Sequence, residues 1–392
     1  MNSQNTPVHV RLWHRDFLLM SIANLLMAMS VYILIPTLPE WLFVTARFTS
    51  WGVGIAMGVF ALGLYLFGSL CNYLVQRFRR NKVCMLAIIG IGLCIGTLYY
   101  FHGLHSHLVK SWVIVAQRFT LGAMFGLAQM VLSSTLIIDT SESFQRTEAN
   151  HSSAWFSRFA ISLGPMVGIV LYNHFGFDVV LLSALLCAGL SMVLILTVNI
   201  PFRSPDDNLH VFSLDRFFMP QSFPLFINLL IVSVVVGMMM SLGLSDRFYA
   251  MMMAGFLLAL LAQRFVFRNA ELKSEVVTGL ILILFALVMI YTRPRPVVWY
   301  LAPLFLGLAI GIIGSRFLLF FIKLSRHCKR GTSQSTYFLG WETGIAAGLG
   351  IGYCFFFNED KTLLLVCMAL TIIALLMYNF YTHRWFMENK NR

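Results

Sequence analysis

The chain has 392 residues, 59% of them hydrophobic and only 11% charged, with a mean hydropathy of +0.79. Soluble globular chains carry about 25% charged residues, and no stretch here is polar enough for a water-soluble domain of any size. The net charge of +12 would suit nucleic acid, but the placement of the charges argues against that partner.

Apolar runs near 20 residues recur from end to end, each long enough to cross a ~30 Å hydrocarbon core as a helix. Twelve such helices are expected in this all-α membrane protein, at roughly 17–38, 51–75, 83–101, 112–138, 152–172, 179–200, 217–243, 249–267, 276–291, 297–324, 337–357 and 362–381. The first run follows a polar stretch and ends in Pro39-Glu40-Trp41 without a small-residue cleavage site, so it reads as a retained helix rather than a signal peptide. The longest interior loop is expected to divide the chain into a six-helix bundle at 1–200, a linker at 201–216 and a second bundle at 217–392.

Lysine and arginine set the orientation. With the N-terminus inside, nineteen of the 28 basic residues fall in inner loops and tails, among them Arg77 and Arg80, and six fall outside. Both termini are therefore expected in the cytoplasm of an inner-membrane protein, and the basic balance needs no nucleic acid. The remaining three, Arg118, Arg158 and Arg316, lie inside helices.

The two halves echo one another. Gly164 and Gly168 in helix five match Gly348 and Gly352 in helix eleven at an offset of 184, which sets Arg158 opposite Glu342. Gly122 and Gly126 match Gly307 and Gly311 at 185, and Gln76-Arg77-Phe78 matches Gln263-Arg264-Phe265 at 187. Three matches at nearly one offset point to duplication where a single one would be noise. Buried charges at the join of two related halves are most simply explained by a transporter.

These motifs, in this order, resemble the major facilitator superfamily over essentially the whole chain. Gln76-Arg77-Phe78-Arg79-Arg80-Asn81-Lys82-Val83 supplies the basic cluster between helices two and three, although Gln76 or Asn72 stands where an aspartate is usual and Arg79 where a glycine is usual. Arg118 followed by Gly122 and Gly126 resembles the helix-four signature. Leu163-Gly164-Pro165-Met166-Val167-Gly168, with Ala160 for an earlier glycine, resembles the helix-five signature of the family's antiporters. The loop YLVQRFRRNK is similar to those of a Bacteroidetes branch. The resemblance implies two pseudo-twofold six-helix bundles and transport of a small molecule through a lipid bilayer by alternating access. It also implies a monomer that uses a proton gradient and no cofactor, with efflux by antiport ahead of uptake by symport. A non-transporting sensor on the same fold is the alternative that the missing aspartate leaves open.

Each candidate residue has a plainer reading beside the functional one. Arg118 is either a cavity cation or an arginine bonded to backbone carbonyls or snorkelling outward. Arg158 and Glu342, at an expected depth of roughly 8–9 Å from the cytoplasmic end at 1.5 Å per residue, form either a gate pair with Arg77 and Arg80 nearby or separate pairs within each half. Glu342 is the one acid placed clearly within a helix, and so the candidate proton carrier; Arg316 is a second cavity cation or a snorkelling side chain. Three helix arginines against one glutamate favour an anionic or zwitterionic solute. Gly340, Gly344, Gly348 and Gly352 form a packing and sliding face, while Pro165 removes a backbone bond and is a candidate hinge. His102, His105 and His107 are expected to be a solvated loop rather than a metal site, and the seven cysteines to be small packing residues. No ATP-binding glycine loop, zinc signature or nucleophile motif is present, so an enzyme is not expected. In a variant freed of native cysteines, a cysteine placed at 102–110 should react with a membrane-impermeant reagent added outside, and one beside Arg80 should not; the opposite labelling would reverse the topology.

Overall fold

The computed structural model describes residues 11–103, 111–142, 144–198, 210–267, 271–292, 295–326 and 329–390. These fold into twelve long helices with no strand among the described residues. In chain order they are α1 (Arg15–Val44), α2 (Ser50–Gly63 and Gly68–Arg77), α3 (Arg80–Gly103), α4 (Ser111–Asp139), α5 (Arg146–Phe175) and α6 (Phe177–Leu196). The second half has α7 (Pro220–Met240), α8 (Asp246–Phe265), α9 (Leu272–Thr292), α10 (Val298–Leu324), α11 (Arg330–Phe355) and α12 (Asp360–Asn389). Ten of them are long and apolar enough to cross a membrane, and the two parts of α2, bent by 46°, make an eleventh span. The twelfth is α11, whose 26 residues are rich in Gly, Ser and Thr. It can do without an apolar surface because 19 of its 26 residues are buried in protein rather than facing lipid.

Local breaks have local causes. α1 is interrupted at Ile33, where the rings of Pro36 and Pro39 crowd the carbonyls four residues back and remove two backbone donors. The bend in α2 comes where the chain tightens into i→i+3 bonds, Tyr65 N–H to Leu62 O at 3.3 Å and Leu66 N–H to Gly63 O at 3.0 Å. α4 widens into a π-helical stretch at Leu132–Leu136, where the hydroxyls of Ser133, Ser134 and Thr135 donate to carbonyls four residues back. α5 runs unbroken through Pro165.

The packing repeats with a shift of six helices. In the first bundle α1 packs on α5 and α6, α4 on α2 and α3, and α3 on α6; in the second α7 packs on α11 and α12, α10 on α8 and α9, and α9 on α12. The main contacts between the bundles, α2 with α11 and α5 with α8, exchange under the same shift. Matched glycines do matched work. A Cβ on Gly122 would lie 2.3 Å from Phe60 O of α2, and one on Gly307 would lie 2.1 Å from Met252 O of α8. Gly164 and Gly168 seat α5 against Tyr32 and Ile33, while Gly348 and Gly352 seat α11 against Val234 and Ser241. Gly126 meets Leu64 in the same way.

Two expectations are corrected here. The stripe of Gly344, Gly348 and Gly352 packs on α7 inside one bundle, so it is not a surface on which the bundles slide. The close glycine contact between the bundles is made by Gly54, Gly58 and Gly350, where a Cβ on Gly54 would sit 2.7 Å from Gly350 O and one on Gly350 would sit 3.0 Å from Gly58 Cα. The Gly54-x-x-x-Gly58 spacing was visible in the sequence and is the signal that would have found it. The second correction concerns depth. α5 and α11 begin at Arg146 and Arg330, earlier than expected, so Arg158 and Glu342 each lie twelve residues in, about 18 Å at 1.5 Å per residue and near mid-membrane. Hydropathy placed both starts too late because the first turns of these helices carry Arg, Gln, Ser and Thr. A Gly54→Val substitution should hold α2 and α11 apart at the face opposite the termini, read as a longer spin-label distance between those two helix ends. An unchanged distance would show that this contact does not set closure.

Candidate functional site

Among the described residues, the cavities between the bundles include three that bear on the site. One of ≈ 500 Å³ sits at the face opposite the termini, lined by Glu40 and Phe43 of α1, Tyr353 of α11 and Asp360 of α12. One of ≈ 300 Å³ sits at the basic face, where α1 begins and α12 ends, and is lined by Asn72, Arg146, Arg216 and Arg330. Between them is a pocket of only ≈ 20 Å³ lined by Gln129, Arg158, Gln334, Tyr337, Trp341 and Glu342. A water needs roughly 10–15 Å³ of such volume, so this pocket has room for about one water and is too small for a solute. Its opening requires the bundles to part.

What must break is a set of hydrogen bonds from one bundle to the other. Tyr32 of α1 donates its hydroxyl to Glu342 Oε1 of α11 at 2.8 Å. Arg158 Nε of α5 donates to the Tyr337 hydroxyl of α11 at 3.2 Å. The hydroxyls of Tyr65 and Thr343 lie 2.9 Å apart, and Ser162 Oγ donates to Tyr249 O. Net contributions near 1 kcal/mol per bond are large enough to bias a closed state and small enough to be reversed by a ligand.

Arg158 is the least satisfied of these groups. It is 3% exposed, and its guanidinium lies over the rings of Trp155 and Tyr337 at 4.8 and 5.8 Å. Neither Nη1 nor Nη2 has a hydrogen-bond partner. Around the same pocket Gln129 Oε1, Gln334 Oε1 and Trp341 Nε1 are also unpaired. An unsatisfied buried group costs about 1–3 kcal/mol and a charged one more. A carboxylate or similar oxyanion would fit the paired N–H groups of a guanidinium in a two-bond fork, while amide oxygens beside it would accept donors from the same molecule.

The structure brings Arg158 and Glu342 into one pocket at equal depth, but they make no salt bridge with each other; each is held by a tyrosine instead. Arg316 is not a free cavity cation. It pairs with Glu275 of α9, which is 0% exposed. Glu275 was missed because α9 starts at Leu272 rather than near 276, so Glu342 is not the only acid buried in a helix. Arg118 is buried between α4 and α2 with its guanidinium 5.1 Å from the Phe60 ring, and it lines none of the three cavities. Arg80 pairs with Asp139, and Arg77 is exposed. Sequence reasoning also passed over Tyr32, Gln129, Gln334, Tyr337 and Trp341. Gln334, Tyr337 and Trp341 at spacings of three and four share a helix face, the signal that would have found them. His102 accepts at Nδ1 from Trp41 Nε1 at 2.7 Å and lies 3.5 Å from Asp178; His105 and His107 lie outside the described residues. No group of three metal-ligating side chains occurs among the described residues, and the six described cysteines are free.

The sequence pattern of the Major Facilitator Superfamily matches residues 20–349. No curated protein matches the chain. Similar solved structures include the human organic anion transporter MFSD10, 15% identical with a TM-score of 0.69 over 92% of this chain and 98% of that one. The POT family transporter PepTSo is 11% identical with a TM-score of 0.70 over 96% and 99%. The nucleoside transporter NupG is 14% identical with a TM-score of 0.65 over 93% and 98%. At these identities the likeness shows the fold.

The Glu275–Arg316 pair generates a stability prediction. Glu275→Gln leaves a mostly buried guanidinium without its partner and should destabilise the protein by about 3–5 kcal/mol, while Glu275→Gln with Arg316→Gln should lose much less. Thermal unfolding in detergent measures both, and a double variant as unstable as the single would deny the pairing its role.

Proposed function

The chain belongs to the Major Facilitator Superfamily and is a multi-pass secondary transporter of small molecules rather than an enzyme; from that premise we propose that its solute is a small amphipathic anion or zwitterion held by Arg158. The observation that carries this reading is the buried Arg158 guanidinium with two unpaired terminal nitrogens in the pocket between the bundles. In this reading Arg158, rather than Arg118 or Arg316, is the solute-binding cation, because Arg118 lines none of these three cavities and Arg316 already has Glu275.

The transport cycle follows from the same contacts. A solute oxyanion binding Arg158 competes with the Tyr337 bond and satisfies Nη1 and Nη2. Glu342, held by Tyr32 from the other bundle, carries the exchanged proton: its neutral form is a weaker acceptor, so protonation loosens the Tyr32 bond between α1 and α11. The residues 1–200 and 217–392 move as two units joined by the linker at 201–216, with Gly54, Gly58 and Gly350 as the close contact. The excess of basic residues at the face of the termini makes that face cytoplasmic in the inner membrane. Solute efflux in exchange for protons is the direction that the helix-five motif favours.

Proteoliposomes loaded with a pH-sensitive dye and challenged with a panel of aromatic and aliphatic carboxylates test this. Arg158→Gln should lower solute-driven proton flux by about 10- to 100-fold, the equivalent of losing ~1.5–3 kcal/mol of charge-assisted hydrogen bonding. Arg158→Lys should recover little, since an ammonium does not reproduce the planar fork. Glu342→Gln should keep solute exchange while losing accumulation driven by a pH gradient. Wild-type flux in the Arg158 variants would return that residue to a packing role, and unchanged pH-driven accumulation in Glu342→Gln would reject the proton carrier.

A further inference from the structure

The basic-face cavity of ≈ 300 Å³ is distinct from the Arg158 pocket and has its own chemistry. Five segments from both bundles and the linker meet there: the end of α2, the end of α4, the start of α5, residues 215–216 and the start of α11. Four cations line it, Arg146, Arg216, Lys329 and Arg330, against the two carboxylates of Asp139 and Asp215. Asp139 is already bound to Arg80. Where another carboxylate would balance the cluster the wall carries Asn72 and Gln76, and these amides bond to each other at 3.0 Å. Arg146 Nε and Arg216 Nη1 are buried atoms with no hydrogen-bond partner.

The cavity is built rather than incidental. Arg216 is held in the left-handed backbone region at φ 62°, where a non-glycine residue is uncommon. Its backbone N–H donates to Thr332 Oγ1 of α11 at 2.8 Å, and Ser213 N–H donates to Ser69 O of α2 at 3.0 Å. The Phe217 ring lies flush on Gly68, where a Cβ would sit 2.0 Å from its edge. The segment is thus anchored to both bundles, and burial pushes the Arg216 guanidinium below its ordinary pKa range. The starts of α5 and α11 add their free N–H groups and the positive ends of their dipoles.

We infer that this cavity binds an anion of the phosphate class, either free phosphate or the headgroup of an anionic phospholipid. The oxygens of a phosphate group point in tetrahedral directions, so they can accept from guanidinium groups on different segments at once. An anion seated there touches both bundles and the linker at once, so it favours the state in which they are closed together at the basic face.

The full-length protein in neutral detergent, titrated with inorganic phosphate at constant ionic strength, tests the free-anion source. The same protein in phosphatidylcholine nanodiscs with and without phosphatidylglycerol tests the lipid source. One of the two should raise the thermal unfolding temperature, and Arg216→Gln with Arg330→Gln should weaken that response by about tenfold or more, a loss of ~1.4 kcal/mol in binding. Asn72→Asp supplies an internal carboxylate and should blunt the anion response while the anion-free protein stays as stable as wild type, which decides the matter if the double variant does not fold. No response to either anion overturns the site, as does a response that survives Arg216→Gln with Arg330→Gln or an undiminished response in Asn72→Asp. Neither experiment depends on transport through the Arg158 pocket, so the two readings stand or fall separately.

Discussion

Hydrocarbon offers no partner to a polar atom, and every charge that this chain carries into the membrane must therefore be answered by another part of the protein. That constraint organises the molecule. Arg316 is answered by Glu275, Glu342 by the Tyr32 hydroxyl, and Arg118 in part by the face of Phe60. Arg158 alone among these is left with both terminal nitrogens unpaired beside a pocket. A group that pays a desolvation cost without full compensation is the one whose energy changes most when a ligand arrives.

The duplication gives that constraint its geometry. A shift of six helices maps the contacts of one bundle onto the other and exchanges the two main seams between them. Backbones approach closely at matched glycines within each bundle, so each half is a stiff body with little room to adjust internally. The seam between the halves is different in kind. It is closed by glycine against glycine in α2 and α11 and by a few tyrosine hydrogen bonds near mid-membrane. Stiff halves joined by a weak seam are what the proposed alternating-access cycle requires mechanically.

The charge asymmetry along the axis extends this picture. Glu40 and Asp360 line the large cavity at one face, while Arg146, Arg216, Lys329 and Arg330 line the cavity at the other. The helix starts of α5 and α11 reinforce the basic end, because their unpaired N–H groups point toward it. α11 joins all three cavities along one helix, with Arg330 at one end, Glu342 in the middle and Tyr353 near the other. Its high content of Gly, Ser and Thr suits a helix that touches neighbours on every side.

The amino-acid sequence by itself determined the class and the twelve helices, and it set Arg158 and Glu342 at matched positions of the two echoing stretches. These follow from hydropathy over about 20 residues and from glycine spacing, both of which are local or periodic properties. Gly164 and Gly348 even disclosed matched packing, because a small residue is needed wherever two backbones meet. Partner choice was beyond it. That Arg316 meets Glu275, that Tyr32 reaches Glu342 across 310 positions, and that Gly350 rather than Gly348 faces the other bundle are decided only when helices far apart in the chain are set at a particular rotation and depth. A rotation of one residue on a helix, about 100°, exchanges one neighbour for another, and tertiary packing alone selects it.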